Sequence, residues 1–265
     1  MKTLISARKP IALLLKRIIY SVILLAYLSS SSAKELPTVT FTTGEWTPFI
    51  SKKLTGYGVV TQIVTEACNR AGLKPIYTFM PWKRASENVK DGYSVATFSW
   101  NKTEKRMQDF LFSAYPVNKT PNVVFYKKSE YPKGVKFHQL SDLATYHATV
   151  AGIRGYWYED GLKKHSIKLH LVNKGEQALG LLHEGRVQMY IDSLHVGLTD
   201  AKRVTPELVS NLGYTEYGSD DPYAYIMFSR THKDTNWVKP RLDKALKSIY
   251  EDGTFDKILG TLLSR

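Results

Sequence analysis

The sequence predicts an α/β protein of two lobes, each a mostly parallel sheet flanked by helices, and three observations carry that expectation. Short apolar runs of strand character alternate with amphipathic helical stretches along most of the chain. The order β-α-β-α-β is completed once before residue 99 and begins again from about Tyr126. No Pro-, Gly- or Ser-rich tether separates the two units, which points to continuous connecting segments and a hinge rather than independent domains. The expected division is a leader over residues 1–33, a first lobe over 34–125, a second over 126–218, and a return to the first over 219–265.

The elements follow in order. A strand is predicted at Thr38–Thr43. A helix follows because Val59, Val60, Ile63, Val64, Ala67, Cys68 and Ala71 recur at helical spacing, and Gly72 stops it. A strand near Pro75–Met80, a helix from Trp82 to Lys90 and a strand at Tyr93–Phe98 complete the first unit. The second has a helix near Leu140–Ala144, a strand at His147–Ala151, a helix after Gly155 and a strand at Lys168–Val172. A helix carrying Ala178, Leu179, Leu181 and Leu182 ends at Gly185, and the strand Val187–Ile191 closes the unit. A last strand at Tyr223–Phe228 precedes two helices, one marked by Leu242, Ala245, Leu246 and Ile249, the other by Phe255, Ile258, Leu259 and Leu262.

The amino end reads as an address. Met1 to Ala33 holds no acid; Lys2, Arg8, Lys9, Lys16 and Arg17 precede the apolar run Ile18–Leu28, and Ser31-Ser32-Ala33 supplies small residues for cleavage after Ala33. The apolar run of about eleven residues is short of the roughly 20 that cross a bilayer, which favours a cleaved signal over a retained anchor. With no cysteine near the cleavage point, a lipid anchor is not expected either. Export to the periplasm follows.

Losing five basic residues takes the net charge from +13 to +8. That charge is spread along the chain rather than gathered in one run, so it reads as solvated surface and not as a nucleic-acid footprint. The only cysteine, Cys68, lies on the apolar side of its helix, so the chain has no internal disulfide. The remaining 232 residues therefore fold on burial alone, a length ample for two lobes of about 100 residues each.

Catalytic and metal signatures are missing from the sequence. There is no His-x-x-x-His pair, no Gly-x-Ser-x-Gly elbow, no phosphate loop and no dinucleotide fingerprint. His165 and His170 fall in a loop and a strand, an arrangement unsuited to one metal. Neither a metal nor a cofactor is expected. The two Asn-Lys-Thr triplets at Asn101 and Asn118 fit a glycosylation pattern that a bacterial-type leader makes irrelevant.

What stands out is Ser99-Trp100-Asn101-Lys102-Thr103-Glu104-Lys105-Arg106, directly after a predicted strand. In open α/β sheets ligands sit beyond the carboxyl ends of strands. Arg106 there can present a planar fork to a carboxylate, with Ser99 and Asn101 adding neutral hydrogen bonds. Equally, Thr103 can cap the next helix and leave Arg106 on the surface; spacing alone does not choose.

This segment resembles the ligand loop of the family-3 bacterial solute-binding proteins of the polar amino-acid type, in which Thr-x-x-Arg grips the ligand α-carboxylate. The resemblance spans nearly the whole chain beyond the leader and implies a periplasmic binding protein-like fold of type II. Trp46-Thr47-Pro48-Phe49 is similar to the family's aromatic-x-Pro-Phe turn, and Pro81-Trp82 falls where the family places the opposite wall. Ala178–Asp192 resembles its helix-Gly-strand-Asp pattern, whose aspartate takes the ligand amino group. Asp252-Gly253-Thr254, followed by Ile258, resembles its terminal helix pair. The resemblance thus implies a ligand site of Trp46, Trp82, Ser99, Asn101, Arg106, Gly155, Tyr156, Trp157 and Asp192.

The chain also departs from that pattern. Gly155-Tyr156-Trp157 stands where the family has Gly-Thr-Thr, Gly58 and Gln188 replace common aspartates, and Asn101 replaces a hydroxyl residue. Aromatic bulk in both lobes points to an aromatic, cationic or otherwise flat ligand. Tyr115 and Tyr223, candidates for the hinge or the pocket rim, are not counted among the site residues. Asp192 can alternatively cap a helix starting near Leu194, and Trp46 and Trp82 can be core residues.

The expected function is capture of a small amino-acid-like molecule by a monomer that hands it to the membrane permease of an ABC transporter. Two other readings stay open. One is a partner of a membrane sensor; a fused sensor is disfavoured because no second apolar span precedes Arg265. The other is an enzyme of the cyclohexadienyl dehydratase kind, with Glu45 or Asp192 as acid or base.

Overall fold

The computed structural model describes residues 35–218 and 222–263. The predicted leader, its cleavage point after Ala33 and residues 219–221 lie outside the described residues. Among the described residues, no helix is long and apolar enough to cross a membrane.

Two sheets organise the chain. The first unites β1 (Thr38–Thr43), β2 (Lys74–Phe79), β3 (Ala96–Trp100), β4 (Phe110–Phe112), β5 (Asn118–Lys119) and β11 (Tyr223–Ser229) in the order β2-β1-β3-β11-β4, with β5 also on β11. The second unites β6 (Asn122–Lys127), β7 (Val150–Ile153), β8 (Leu169–Val172), β9 (Met189–Ser193) and β10 (Leu212–Glu216) in the order β10-β6-β9-β7-β8. Each sheet has three parallel strands along one side. Thr38 to Thr43 pair in register with Lys74 to Phe79 while β3 flanks the other side, and β7 sits between β8 and β9 in the same sense. Antiparallel strands extend both sheets, β11 on β3 and the pair β6 and β10 beside β9.

The helices cover these sheets: α1 (Val59–Arg70), α2 (Trp82–Lys90) and α3 (Glu104–Asp109) in the first region, α4 (Glu159–Lys164), α5 (Gly175–His183) and α6 (Leu194–Val204) in the second, then α7 (Thr235–Glu251) and α8 (Thr254–Leu263). The stripe of α1 buries Val60, Ile63, Val64, Ala67 and Cys68 against Phe41 and Phe98 of the sheet and Leu242, Leu246 and Ile249 of α7. Alternation in β6 sends Val123 and Phe125 to one face of the second sheet and Val124 and Tyr126 to the other, so each face has its own core.

Several boundaries differ from the sequence expectation. The strand expected at Tyr93–Phe98 runs from Ala96 to Trp100, because Gly92 (φ 77°) and Tyr93 close α2 through bonds to the Val89 and Asn88 carbonyls. The strand expected at His147–Ala151 begins at Val150, since His147 takes a left-handed φ of 50° to end a 3₁₀ turn over Leu140–Tyr146, itself expected as a helix. The strand expected at Val187–Ile191 runs two residues later. The antiparallel strands β6 and β10 were not anticipated; β6 begins at Asn122, so the expected boundary at 125/126 falls inside it.

Candidate ligand-binding site

The carboxyl ends of the parallel strands of both sheets open on one cavity. Beyond β1 come Gly44, Glu45 and Trp46; beyond β2, Trp82; at and beyond β3, Ser99 to Arg106. From the second sheet come the turn after β7, with Tyr156 and Trp157, and Asp192 near the end of β9. The cavity holds about 530 Å³ of empty space counting its open mouth.

Local contacts explain how the first wall is held. A Cβ at Gly44 would stand 2.4 Å from the Trp82 ring, so only glycine lets that indole lie across the β1 turn, where its Nε1 donates to the Glu45 carbonyl at 3.2 Å. Trp46 pairs through its backbone with Ile50 and packs its ring on Phe49 at 4.8 Å. Trp82 meets Trp100 edge to face at 5.6 Å. Ser99 has a left-handed φ of 70°, unusual for a residue with a side chain and a form of local strain that recurs at binding sites.

Arg106 has both of the features that the sequence left as alternatives. Thr103 does cap α3, accepting from the Arg106 backbone N–H at 3.2 Å. Yet the guanidinium is not on the surface. It stacks on Trp100 at 4.7 Å, and donates through Nη1 to the Asn101 carbonyl at 2.9 Å and through Nη2 to the Gly155 carbonyl at 2.8 Å. Burial lowers its pKa to about 10, with Tyr156 and Asp160 opposing, so it stays charged at neutral pH. Three of its five N–H donors are not engaged by these bonds.

Asp192 lines the same cavity from the other sheet. It is 1% exposed, and it does not cap α6: Ser193 is the residue before that helix, and Asp192 Oδ1 accepts from the Ser193 N–H at 2.7 Å. Its Oδ2 accepts from the Tyr190 hydroxyl. Burial pushes its pKa up to about 7, assisted by the nearby Asp200 and opposed by the bonds from Tyr190 and Ser193. Trp46 Nε1 makes no bond of good geometry, but it lies close enough to favour the ionised carboxylate.

All the expected site residues except Gly155 line this cavity. The Gly155 N–H donates to Glu159 Oε2 at 2.7 Å and its carbonyl is taken by Arg106, so the glycine serves the loop rather than the cavity surface. Glu45 does not line the cavity either; it is exposed and accepts from the Lys52 N–H at 3.3 Å. Tyr115 packs on Tyr250 at 5.5 Å, while the Tyr223 carbonyl accepts from Asn101 Nδ2 at 3.1 Å. Lining residues that sequence reasoning missed are Trp100, Thr120, Asn122, Pro222 and Ala224. Trp100 lay within the segment already singled out; the others stand where the chain passes between sheets, and no local pattern marks such a place.

The Trp46 and Trp157 indole N–H groups and the Ser99 hydroxyl are buried without a hydrogen-bond partner. Such groups are costly unless something accepts from them. Among the described residues, no cluster of three or more His, Cys, Asp or Glu could hold a metal ion.

The chain belongs to the bacterial extracellular solute-binding proteins, family 3, whose model matches residues 39–263. Its fold is the type II periplasmic binding protein fold. An ancestral arginine-binding protein bound to arginine is 21% identical, with a TM-score of 0.69 over 84% of this chain and 97% of that one. An amino acid ABC transporter substrate-binding protein, AbpA, from Streptococcus pneumoniae bound to L-arginine is 19% identical, with a TM-score of 0.68 over 84% and 93%. A histidine kinase sensor domain similar to periplasmic binding proteins is 16% identical, with a TM-score of 0.68 over 84% and 95%. Comparison with curated proteins gives no match.

Proposed function

We propose that this protein is an exported receptor that closes on an amino acid or amino-acid-like molecule and delivers it to an ABC-type permease. The observation that carries the reading is that Arg106 from the first sheet and Asp192 from the second line one cavity walled by indoles. A zwitterion between them gives its carboxylate to the guanidinium and its ammonium to the carboxyl group, so a ligand favours the closed arrangement of the two sheets. The arginine held by two similar structures supports an amino acid as the ligand class. Among the described residues, hinge bending falls to the crossing between β5 and β6, at Thr120 and Pro121.

Each charge-assisted hydrogen bond contributes about 1.5–3 kcal/mol, and each aromatic contact about 0.5–1.5 kcal/mol. Such contacts offset part of the cost of closure and immobilisation, and the expected affinity is roughly micromolar, about −8 kcal/mol. We expect the receptor to be periplasmic and monomeric, with its leader cut after Ala33, and to bind its ligand without transforming it.

A thermal-shift screen across amino acids and related metabolites tests the proposal. A ligand at 100 times its dissociation constant adds about 2.7 kcal/mol of stability. No response to any amino acid or related metabolite, by shift or by calorimetry, would remove the receptor reading. The likeness to a kinase sensor domain favours a second reading, partnership with a membrane sensor. Uptake of labelled ligand by cells lacking the protein separates the two: unchanged uptake rules out delivery to a permease.

A further inference from the structure

Behind Asp192 lies a group of oxygens that ligand contact alone does not explain. Tyr190 and Asp192 stand two residues apart on β9 and so share a face of the sheet. Asp200 comes from α6, and the amino end of α5 supplies the gap into which all three project. The Tyr190 hydroxyl, Asp200 Oδ2 and Asp192 Oδ2 lie 2.6, 2.9 and 3.4 Å from the point where a Cβ on Gly175 would stand. Only glycine leaves room for them.

We propose that Tyr190 and Asp200 are positioning residues for Asp192, so that the three side chains in the Gly175 gap answer to the ligand's charge as one unit. This rests on the receptor reading for its meaning, but the cluster can be tested without any ligand. The Tyr190 hydroxyl donates to Asp192 Oδ2 and so favours the ionised carboxylate. Asp200, 8% exposed, opposes it with a second negative charge; Arg203 partly neutralises that charge with a bond of 2.8 Å to Asp200 Oδ1, while also reaching Glu176 of α5 at 2.6 Å. Tyr156 and Tyr158, from the turn after β7, also face Asp192, and burial and that carboxylate hold both phenols neutral. Tyr158 has its hydroxyl committed to the Ile153 N–H and the Ile191 carbonyl. From the first sheet Arg106 lines the same cavity, and the Trp46 N–H approaches the carboxyl group.

Near neutral pH the cluster therefore holds a proton on Asp192 in part of the molecules. An arriving ammonium group takes the place of that proton, which leaves to the buffer. Capture of a cationic or zwitterionic ligand then releases a fraction of a proton per binding event, and its affinity rises as the pH climbs through neutrality.

The test is titration of aspartate carboxyl carbons by NMR on ¹³C-labelled, ligand-free protein. One resonance should titrate near pH 7 and be missing from Asp192→Asn. Its midpoint should move down by about one unit in Asp200→Asn, which removes a like charge, and up by a similar amount in Tyr190→Phe, which removes a donor. The opposite signs separate positioning from general damage, and Tyr190→Phe carries the test if Asp200→Asn does not fold. Every aspartate titrating below about pH 5, or an Asp192 midpoint unmoved by the variants, overturns the proposal. Because no ligand is present, failure here is distinct from failure of the amino-acid screen. Calorimetry with L-arginine as the probe, run in two buffers of different ionisation enthalpy, should further show proton release that Asp192→Asn abolishes; binding with no proton release at pH 7 counts against the cluster.

Discussion

Arg106 Nη2, on α3, donates to the Gly155 carbonyl, on the turn after β7, at 2.8 Å. One side chain of the first sheet thus touches backbone of the second while three of its N–H donors stay available to a ligand. The guanidinium is at once a contact between the two regions and the one Arg or Lys side chain among the described residues that line the cavity.

Replacing it should therefore cost affinity through both roles. Arg106→Ala should weaken binding of any amino acid found in the screen by roughly 10- to 150-fold, the worth of one lost charge-assisted bond. Arg106→Lys, which keeps the charge without the planar fork, should fall between. Isothermal titration reads this directly, and unchanged affinity in the alanine variant would take Arg106 out of the site.

The preceding residue, Lys105, bonds Asp160 Oδ2 through its Nζ at 2.8 Å, also between the two regions, but both side chains are largely exposed. Water screens such a pair, so its contribution is about 0–1 kcal/mol. Lys105→Ala should change ligand affinity no more than about fivefold at low salt and hardly at all at 1 M salt. A tenfold loss that persists in high salt would mean that this pair, not the cavity, governs closure.

Asp192 makes stability depend on pH. Its pKa is raised to about 7 in the folded chain, against 3.8 for an ordinary aspartate. Between those values the folded state holds a proton that the unfolded chain has lost, so stability falls as pH rises from about 4 to 7 and then levels, by up to about 4 kcal/mol. Denaturant unfolding at pH 5 and pH 8 should show a smaller drop in Asp192→Asn than in the native sequence. Equal drops would place the carboxylate in a solvated setting.

Gly58 illustrates a departure from the family with a structural cause. Its φ is 95°, and a Cβ there would stand 2.3 Å from the Phe49 carbonyl oxygen. Backbone strain and overlap together should make Gly58→Ala lose about 2 kcal/mol or more, seen as a lower denaturant midpoint. Because Phe49 supports Trp46, ligand affinity should fall as well. A variant as stable as the native chain would show that this turn relaxes freely.

Sequence reading placed the elements well where periodicity was strong and less well where short turns set the ends. The stripe of α1 was legible from Val59 to Cys68 because a helix buried on one side repeats its apolar residues every three or four positions. The shift of β3 to Ala96–Trp100 was not, since it depends on how Gly92 and Tyr93 close the preceding helix. Strands β6 and β10 escaped notice because their partners lie far away along the chain.

The sequence by itself determined the α/β alternation, through apolar spacing, and the family; its resemblance to that family pointed to eight of the residues that line the cavity. Only the tertiary structure decided that Gly155 serves Arg106 rather than the cavity surface, that Trp100 and the crossings complete the wall, and that Asp200 stands behind Asp192. Those relationships join side chains brought together by packing, and electrostatic and steric forces act through space, over distances that neighbouring letters in a chain do not record.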